Sequence, residues 1–309
     1  MAGPQARAAS IGECMIELAP REGGLYALGF GGDTLNTAVY MARLGMGVDY
    51  LTAMGDDPYS DRMIAAWAAE GVGVERVRRI DARLPGLHLI ETDAKGERRF
   101  FYWRDRAPAR ELFRLPDSPA LLDDIAGYEL VYLSGISLSL YGDDGRAALT
   151  GALDELRRRG GKVAFDSNYR PRNWPDAGAA RAAMADLMQR ADIALLSFDD
   201  EKALWDDKSP EHTAKRAAEL GPAEIVVKNG GGAAILALAG ERALSISPDP
   251  QDRPRDTTAA GDSFNAAYLA ARHAGAGPAE AARAGHRLAA AVIQHPGAII
   301  PRQAMPATI

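Results

Sequence analysis

Four short apolar runs in the central part of the chain constrain its fold more than any other feature. They occupy residues 130–135, 162–166, 192–197 and 224–228, and turn-forming residues bound each of them. None of the runs alternates polar with apolar residues, so both faces of each strand are expected to be covered, as in a parallel sheet. The runs therefore predict the α/β fold class, with a central, mostly parallel sheet flanked by helices.

Helical stretches separate these strands. The stretch 143–160 ends at Gly160-Gly161, which is a helix stop signal, and the stretches 177–191 and 210–220 are Ala-rich with polar residues at helical spacing. Alternation of strands with helices is typical of a doubly wound sheet. The predicted helices are residues 33–44, 58–70, 143–160, 177–191 and 210–220.

A β-hairpin interrupts the alternation. Residues 84–92 and 97–104 read as strands, and the composition of residues 93–96 predicts the turn between them. The hairpin has no helix of its own, which favours a small β lid over a site; the alternative is an edge hairpin without function. No repeat or linker divides the chain. We therefore expect one domain, residues 1–309, whose lid is formed mainly by residues 13–30 and 84–104.

Composition excludes several classes of protein. Apolar residues make up 47% of the 309 residues and charged residues 25%, which rules out disorder for most of the chain. The net charge of −6 comes with no basic face, so nucleic acid is not an expected partner. A single cysteine excludes an internal disulfide, and neither a signal peptide nor a membrane span is visible. These features predict a soluble, cytoplasmic protein.

The segment 256–264, DTTAAGDSF, carries the strongest chemical signal. Small residues at 259–261 allow backbone N–H groups to approach an anion at the start of the following helix. Asp262, in the first turn of that helix, is placed to accept a proton from an attacking hydroxyl. Ordinary N-capping explains an aspartate there equally well.

A second segment, residues 29–45, places glycines before another helix. Gly31 and Gly32 precede the helix, and Asp33 and Asn36 lie in its first turn. Backbone and side-chain donors at this point suit sugar hydroxyls, although a glycine turn with a cap is the simpler explanation. The pattern does not match a Walker or dinucleotide fingerprint.

Together the two segments resemble the signature regions of the ribokinase-like (PfkB) carbohydrate kinases, and the resemblance runs from Ile11 to about Met305. The other matching stretches, in order, are IGECMIEL, RLPGLHLIETD, YLSGIS, DSNYRPRNW and GAIIPR. Within the family, the likeness is strongest to members that use ATP and Mg²⁺ to phosphorylate 2-keto-3-deoxygluconate at its 6-hydroxyl, a step of sugar-acid catabolism. A fructokinase or other neutral-ketose kinase of the same fold is the alternative, and a non-catalytic sugar-acid sensor is a second.

The resemblance assigns the chemistry to Asp262 as catalytic base and to an anion hole formed by the N–H groups of Ala259, Ala260 and Gly261. Because Ala259 stands where many relatives have glycine, we expect a negative φ at this residue. By the same resemblance, Asp256 and Thr258 hold a monovalent cation such as K⁺ beside the anion hole.

The resemblance also implies a substrate site. Tyr102 and Arg104 share one face of a strand, and with Arg170 they are expected to clamp the substrate carboxylate in a locally basic pocket. His88 stands where relatives commonly carry tyrosine, while Arg172 is expected to be an ordinary surface arginine. The full predicted substrate set is Gly32, Asp33, Asn36, His88, Tyr102, Arg104, Arg170 and Asp262.

On the nucleotide side, the relatives often show Asn-x-x-Glu where this chain has Ser197 and Asp200, and Asp200 is expected to hold a Mg²⁺-bound water. The predicted nucleotide set is Asn168, Ser197, Lys228, Gly230, Ala259, Ala260, Gly261 and His286. Phe100 and Trp103 on the hairpin suggest a homo-oligomer that pairs through its lids, since an exposed hairpin leaves unpaired edges.

Overall fold

A computed structural model describes residues 7–92, 98–250 and 253–307. The predicted turn at 93–96 and both ends of the predicted domain lie outside these ranges. The strands are β1 Ala8–Ile11, β2 Met15–Pro20, β3 Tyr26–Gly31, β4 Val48–Leu51, β5 Ala53–Gly55, β6 Arg78–Ile80, β7 Leu87–Thr92, β8 Arg98–Trp103, β9 Leu130–Ser134, β10 Lys162–Asp166, β11 Ile193–Ser197, β12 Glu224–Lys228, β13 Ala234–Leu238 and β14 Leu244–Ile246. The α-helices are α1 Asp33–Arg43, α2 Pro58–Ala69, α3 Ser118–Ile125, α4 Gly135–Leu140, α5 Gly142–Arg158, α6 Ala177–Met188, α7 Phe198–Trp205, α8 Pro210–Ala218, α9 Ala260–His273 and α10 Pro278–Val292.

The main sheet has eight strands in the order β14-β13-β12-β11-β10-β9-β1-β4. Neighbours from β12 through to β4 pair in parallel, whereas the β12–β13 and β13–β14 pairs are antiparallel. The four predicted strands are β9 to β12, and the predicted α/β class is confirmed. The antiparallel pair β13 and β14 at one edge is an addition that the apolar runs did not predict.

Burial on both faces explains why the central strands are continuously apolar. Along β9, Tyr132 enters one core cluster, whereas Val131 and Leu133 enter the second cluster on the opposite side of the sheet. The same alternation recurs in β12, where Val226 and Val227 point to different clusters. Each strand therefore needs apolar residues at every position.

A second, four-stranded sheet has the order β3-β2-β7-β8. Its β2–β7 pair is parallel, and its two other pairs are antiparallel. Along β8, Phe100 and Tyr102 face a pocket, while Phe101 and Trp103 lie on the opposite face, with Trp103 61% exposed. Of the two residues on which the prediction of lid pairing was based, Trp103 lies on the exposed face and Phe100 on the pocket face, because residues three apart in a strand point to opposite faces.

Polar residues end four neighbouring parallel strands. Ser134, Asp166, Ser197 and Lys228 are the last residues of β9 to β12. The carboxyl ends of parallel strands meet at one edge of a sheet, where open α/β folds form their ligand crevice. No helix in the described ranges is long and apolar enough to cross a membrane.

Candidate active site

A pocket of about 370 Å³ opens where the strand ends face the second sheet. Of the predicted residues, it is lined by Gly32, Asp33, Asn36, His88, Tyr102, Arg104, Asn168, Arg170, Ser197, Asp200, Ala259, Ala260, Gly261 and Asp262. A cleft of about 190 Å³ is lined by the three that remain, Lys228, Gly230 and His286. Ser197, Ala260 and Gly261 line both spaces, so the two adjoin at the loop before Asp262.

The pocket has two regions that we name here. The floor comprises the acidic side chains at the strand ends and helix starts, namely Asp33, Asp166 and Asp262. The roof comprises the charged and imidazole side chains on or beside the second sheet, namely Glu13, Glu17, His88 and Arg104.

Asp262 lies in the first turn of α9 and reaches the floor beside α1. The side-chain amide of Asn36 donates to its Oδ2 at 2.8 Å. Burial raises the pKa of Asp262 to about 7, and the negative charge of Asp33 adds to the shift. Burial also raises the pKa of Asp33, whose Oδ2 accepts a hydrogen bond from Asn168 at 2.7 Å. Such a carboxylate can take a proton near neutral pH.

The loop before Asp262 differs from its prediction. Ala259 has a φ of 59° and adopts the left-handed conformation, so the expected negative φ is wrong. Left-handed backbone at a non-glycine residue costs about 1–2 kcal/mol. The N–H of Ala260, one of the three predicted for the anion hole, donates to the Thr257 carbonyl at 3.2 Å and closes the turn.

Lys228 is buried beneath this loop. Its ammonium donates to Asp166 Oδ2 at 3.0 Å and to Asn265 Oδ1 at 2.9 Å. A Cβ placed on Gly261 would lie 3.5 Å from the Lys228 nitrogen, so the positive charge sits in contact with the loop. Asp166 and Asn265 were absent from the predicted set. Two features of the sequence could have identified them: Asp166 is an acid at the end of a strand, and Asn265 lies about one helical turn after Asp262.

The roof pairs its charges. Arg104 forms an ion pair with Glu13, and the two side chains are only 11% and 2% exposed. His88 and Glu17 lie 3.0 Å apart between Nε2 and Oε2, and the His88 ring stacks on Tyr102. Glu13 and Glu17 were missed, although both belong to the matching stretch IGECMIEL.

Arg170 contacts Asp200, although the two residues were predicted to bind different ligands. Its Nη1 donates to Asp200 Oδ1 at 3.0 Å and to the Tyr169 carbonyl at 2.7 Å. Burial raises the pKa of Asp200, and the positive charge of Arg170 opposes this shift. Arg170, predicted for the substrate, thus contacts Asp200, predicted for the metal.

The pocket is not locally basic, which corrects the expected charge. Its lining holds more carboxylates than cations. The carboxylates are Glu13, Glu17, Asp33, Asp166, Asp200 and Asp262, and the guanidinium groups are Arg104, Arg170 and Arg172. The expectation failed because it counted the arginines without their acidic partners, which are distant in sequence.

His286 lies at the far end of the cleft, on α10. Its Nε2 is 3.0 Å from the Ile246 carbonyl oxygen, and its ring meets Phe264 edge-on. Burial lowers the pKa of His286. The lowered pKa favours a neutral imidazole, which lines the cleft together with Phe264.

Comparisons with known proteins identify relatives of the whole chain. The chain is 46% identical over 305 residues to the 2-dehydro-3-deoxygluconokinase of Dickeya dadantii, covering 97% of this chain and 98% of that protein. A fructokinase of Klebsiella pneumoniae is 30% identical over 261 residues, covering 84% of this chain and 82% of the relative.

Among solved structures, an E. coli protein described as a Ribokinase II, in complex with ATP and Mg²⁺, superposes with a TM-score of 0.83. It is 22% identical, and the match covers 97% of this chain and 96% of that one, which establishes a shared fold. Residues 5–305 match the family described as pfkB family carbohydrate kinase. The chain belongs to the pfkB family of carbohydrate kinases.

Proposed function

We propose that the protein phosphorylates 2-keto-3-deoxygluconate at its 6-hydroxyl, using ATP and Mg²⁺. The observation that carries the proposal is the junction at Gly261 and Asp262. Gly261 lines both the pocket and the cleft, and Asp262 follows it on the pocket side. A sugar in the pocket and a nucleotide in the cleft would meet at these residues. The 46% identity to a 2-dehydro-3-deoxygluconokinase supports the choice of substrate.

Asp262 acts as the base in this reaction. Phosphoryl transfer is achieved mainly by positioning and charge stabilisation, with a group that accepts the proton of the attacking hydroxyl. The half-buried carboxylate, with a pKa raised to about 7, takes that proton. Loop N–H groups and the nearby Lys228 ammonium stabilise negative charge on the transferred group.

The roof receives the acid end of the sugar. Tyr102, Arg104 and Arg170 line this side of the pocket and orient the carboxylate and keto group. Asn36 and the floor residue Asp33 line the same pocket beside Asp262, where the reacting hydroxyl would lie.

The residues on the nucleotide side fit Mg²⁺ carried by ATP. No group of three or more acidic, histidine or cysteine side chains within the described ranges forms a metal cage. Mg²⁺ commonly needs only one or two carboxylates, with phosphates and waters completing its shell. Asp200 would hold a Mg²⁺-bound water, Ser197 would contact a phosphate, and the ion would neutralise phosphate charge. Asp256 and Thr258 would hold a monovalent cation.

The second sheet serves in this proposal as a lid, and its outer face as a dimer contact. Leu28, Phe101 and Trp103 are exposed there, which supports pairing between two copies of the sheet. Light scattering on the purified protein measures the mass in solution. A mass of about 33 kDa, that of one chain, would contradict the dimer.

An ADP-release assay with 2-keto-3-deoxygluconate tests the function, and phosphorus–proton NMR of the product locates the phosphate. We expect ADP release that depends on the sugar acid, and phosphorus coupled to the C6 protons. Absence of turnover with this sugar acid, or a phosphate on another carbon, would contradict the proposal.

A further inference from the structure

The cations assigned to substrate and nucleotide already have carboxylate partners. Arg104 pairs with Glu13, Arg170 with Asp200, and Lys228 with Asp166. Each of these positive charges is therefore largely balanced before a ligand arrives. A substrate carboxylate that approached them would also meet the negative charge of the partner.

Arg172 differs from these three. It lies in the short turn Pro171–Asn173 that follows β10, lines the pocket and is exposed. Its Nη1 donates to the Phe100 carbonyl at 3.3 Å. Within the part of the chain that the structure describes, no carboxylate forms an ion pair with Arg172. Its positive charge is thus the unbalanced one in the pocket lining.

The guanidinium of Arg172 is also held in place. Its central carbon lies 3.9 Å from the centroid of the Tyr102 ring. Stacking on an aromatic face orients the planar group, and the edge donors other than the one that Nη1 gives to Phe100 can meet a planar anion. Tyr102 faces the pocket from β8, so the stacked group lies at the roof side. A carboxylate can meet it there with paired N–H donors.

We infer that Arg172 binds the carboxylate of the substrate and determines the preference for a sugar acid over the matching neutral sugar. The inference rests on the proposed function and extends it, because the sequence placed Arg172 among ordinary surface arginines. Arg104 and Arg170 still orient the carboxylate and keto group, and Arg172 adds a guanidinium that has no carboxylate partner among the described residues.

The test uses two substrates that differ only in charge at one end. They are 2-keto-3-deoxygluconate and 3-deoxyfructose, which carries a hydroxymethyl group in place of the carboxylate. The variants are Arg172→Gln and Arg172→Lys, with Arg158→Gln as a control, since Arg158 is an exposed arginine on α5 outside the pocket. Where the neutral sugar turns over too slowly, calorimetry gives its Kd in place of KM.

For Arg172→Gln we expect KM for the sugar acid to rise about tenfold, as the loss of a partly exposed charge-assisted contact predicts. Its kcat should stay within about threefold, and binding of 3-deoxyfructose within about twofold, because neither depends on the carboxylate contact. Arg172→Lys should fall between wild type and Arg172→Gln, since it keeps the charge but loses the stacked planar group. The control should match wild type.

An unchanged KM for the sugar acid in Arg172→Gln would overturn the inference. An equal loss of affinity for both sugars would also overturn it, because Arg172 would then only stabilise the packing of the turn 171–173 against β8. Failure of the proposed function has a different signature: wild-type enzyme would favour the neutral sugar, or phosphorylate neither. Thermal melting of each variant excludes misfolding as the cause of a raised KM.

Discussion

The floor and the roof of the pocket both bury carboxylates, but the partners of those carboxylates differ: Asp33 and Asp262 on the floor accept from amides, whereas both roof acids contact basic side chains. On the floor, burial raises the pKa of Asp33 and that of Asp262, and the negative charge of Asp33 helps to bring Asp262 to about 7. The third floor acid, Asp166, is paired with Lys228. On the roof, Glu13 has Arg104 and Glu17 has His88 as a direct partner. Crowded acids make a proton acceptor that works near neutral pH, whereas paired acids hold side chains in place.

The difference also separates chemistry from recognition. The floor adjoins the cleft, which is lined by Lys228 and by the loop residues Ala260 and Gly261. We propose that the phosphoryl group is transferred there. The roof and Arg172 line the pocket on the side of the second sheet, where we propose that the acid end of the substrate binds. Substitutions on the floor should therefore alter kcat and the pH dependence of kcat/KM. Substitutions on the roof should alter the free energy of unfolding and the affinity for the sugar acid.

The largest effect is expected for Asp262→Asn. Loss of the proton acceptor should lower kcat by about 10²- to 10⁴-fold, the usual contribution of a general base. The asparagine can still accept the hydrogen bond from Asn36, so the fold and the KM should change little. Steady-state kinetics measures the effect, and a variant with wild-type kcat would rule out the base role.

A roof change should cost stability instead. Glu13→Ala leaves the Arg104 guanidinium buried without its carboxylate, and we expect the free energy of unfolding to fall by about 3 kcal/mol. Urea denaturation measures the loss. The double variant Glu13→Leu with Arg104→Met should recover most of it, because no unpaired charge is left. Equal stability of Glu13→Ala and wild type would show that the ion pair is not needed.

A floor change should shift the pH profile. Asp262 must be ionised to accept a proton, so kcat/KM should fall as pH drops through about 7. Asp33→Asn removes the neighbouring negative charge, lowers the pKa of Asp262 and moves this acid limb to lower pH, by about one unit. Wild type and variant are compared by kcat/KM between pH 5 and 9. A limb that stays in place would contradict the coupling of the two acids.

The smallest effect concerns the loop that joins the floor to the cleft. Ala259→Gly removes the cost of a left-handed alanine but increases the freedom of the unfolded chain. We expect a net gain of about 0.5 kcal/mol in unfolding free energy, with kcat close to wild type. Thermal melting detects such a gain, and a clear loss of stability would contradict the left-handed conformation.

The sequence predicted those parts of the molecule that depend on local pattern. The runs that became β9 to β12 are apolar at every position because both sides of the sheet are packed. Glycines and acids at helix starts predicted Asp33, Asn36 and Asp262, whereas the third floor acid, Asp166, lies at the end of a strand and was missed.

Partners distant in sequence could not be predicted in the same way. Glu13 and Arg104 are 91 residues apart, and Arg170 and Asp200 are 30 apart. No local pattern signals which acid will meet which arginine after folding, so the pocket was expected to be basic. The φ of Ala259 was mispredicted because local preference favours negative φ, whereas closure of the turn overrides it.

A competition between a sugar acid and a neutral sugar shows whether the pocket selects for a carboxylate. Equal concentrations of 2-keto-3-deoxygluconate and fructose are mixed with limiting ATP and Mg²⁺, and phosphorus NMR measures the two phosphorylated products, whose ratio gives the ratio of kcat/KM. Recognition of a carboxylate by charged groups predicts at least about tenfold more sugar-acid phosphate. Equal amounts, or an excess of fructose phosphate, would contradict the account.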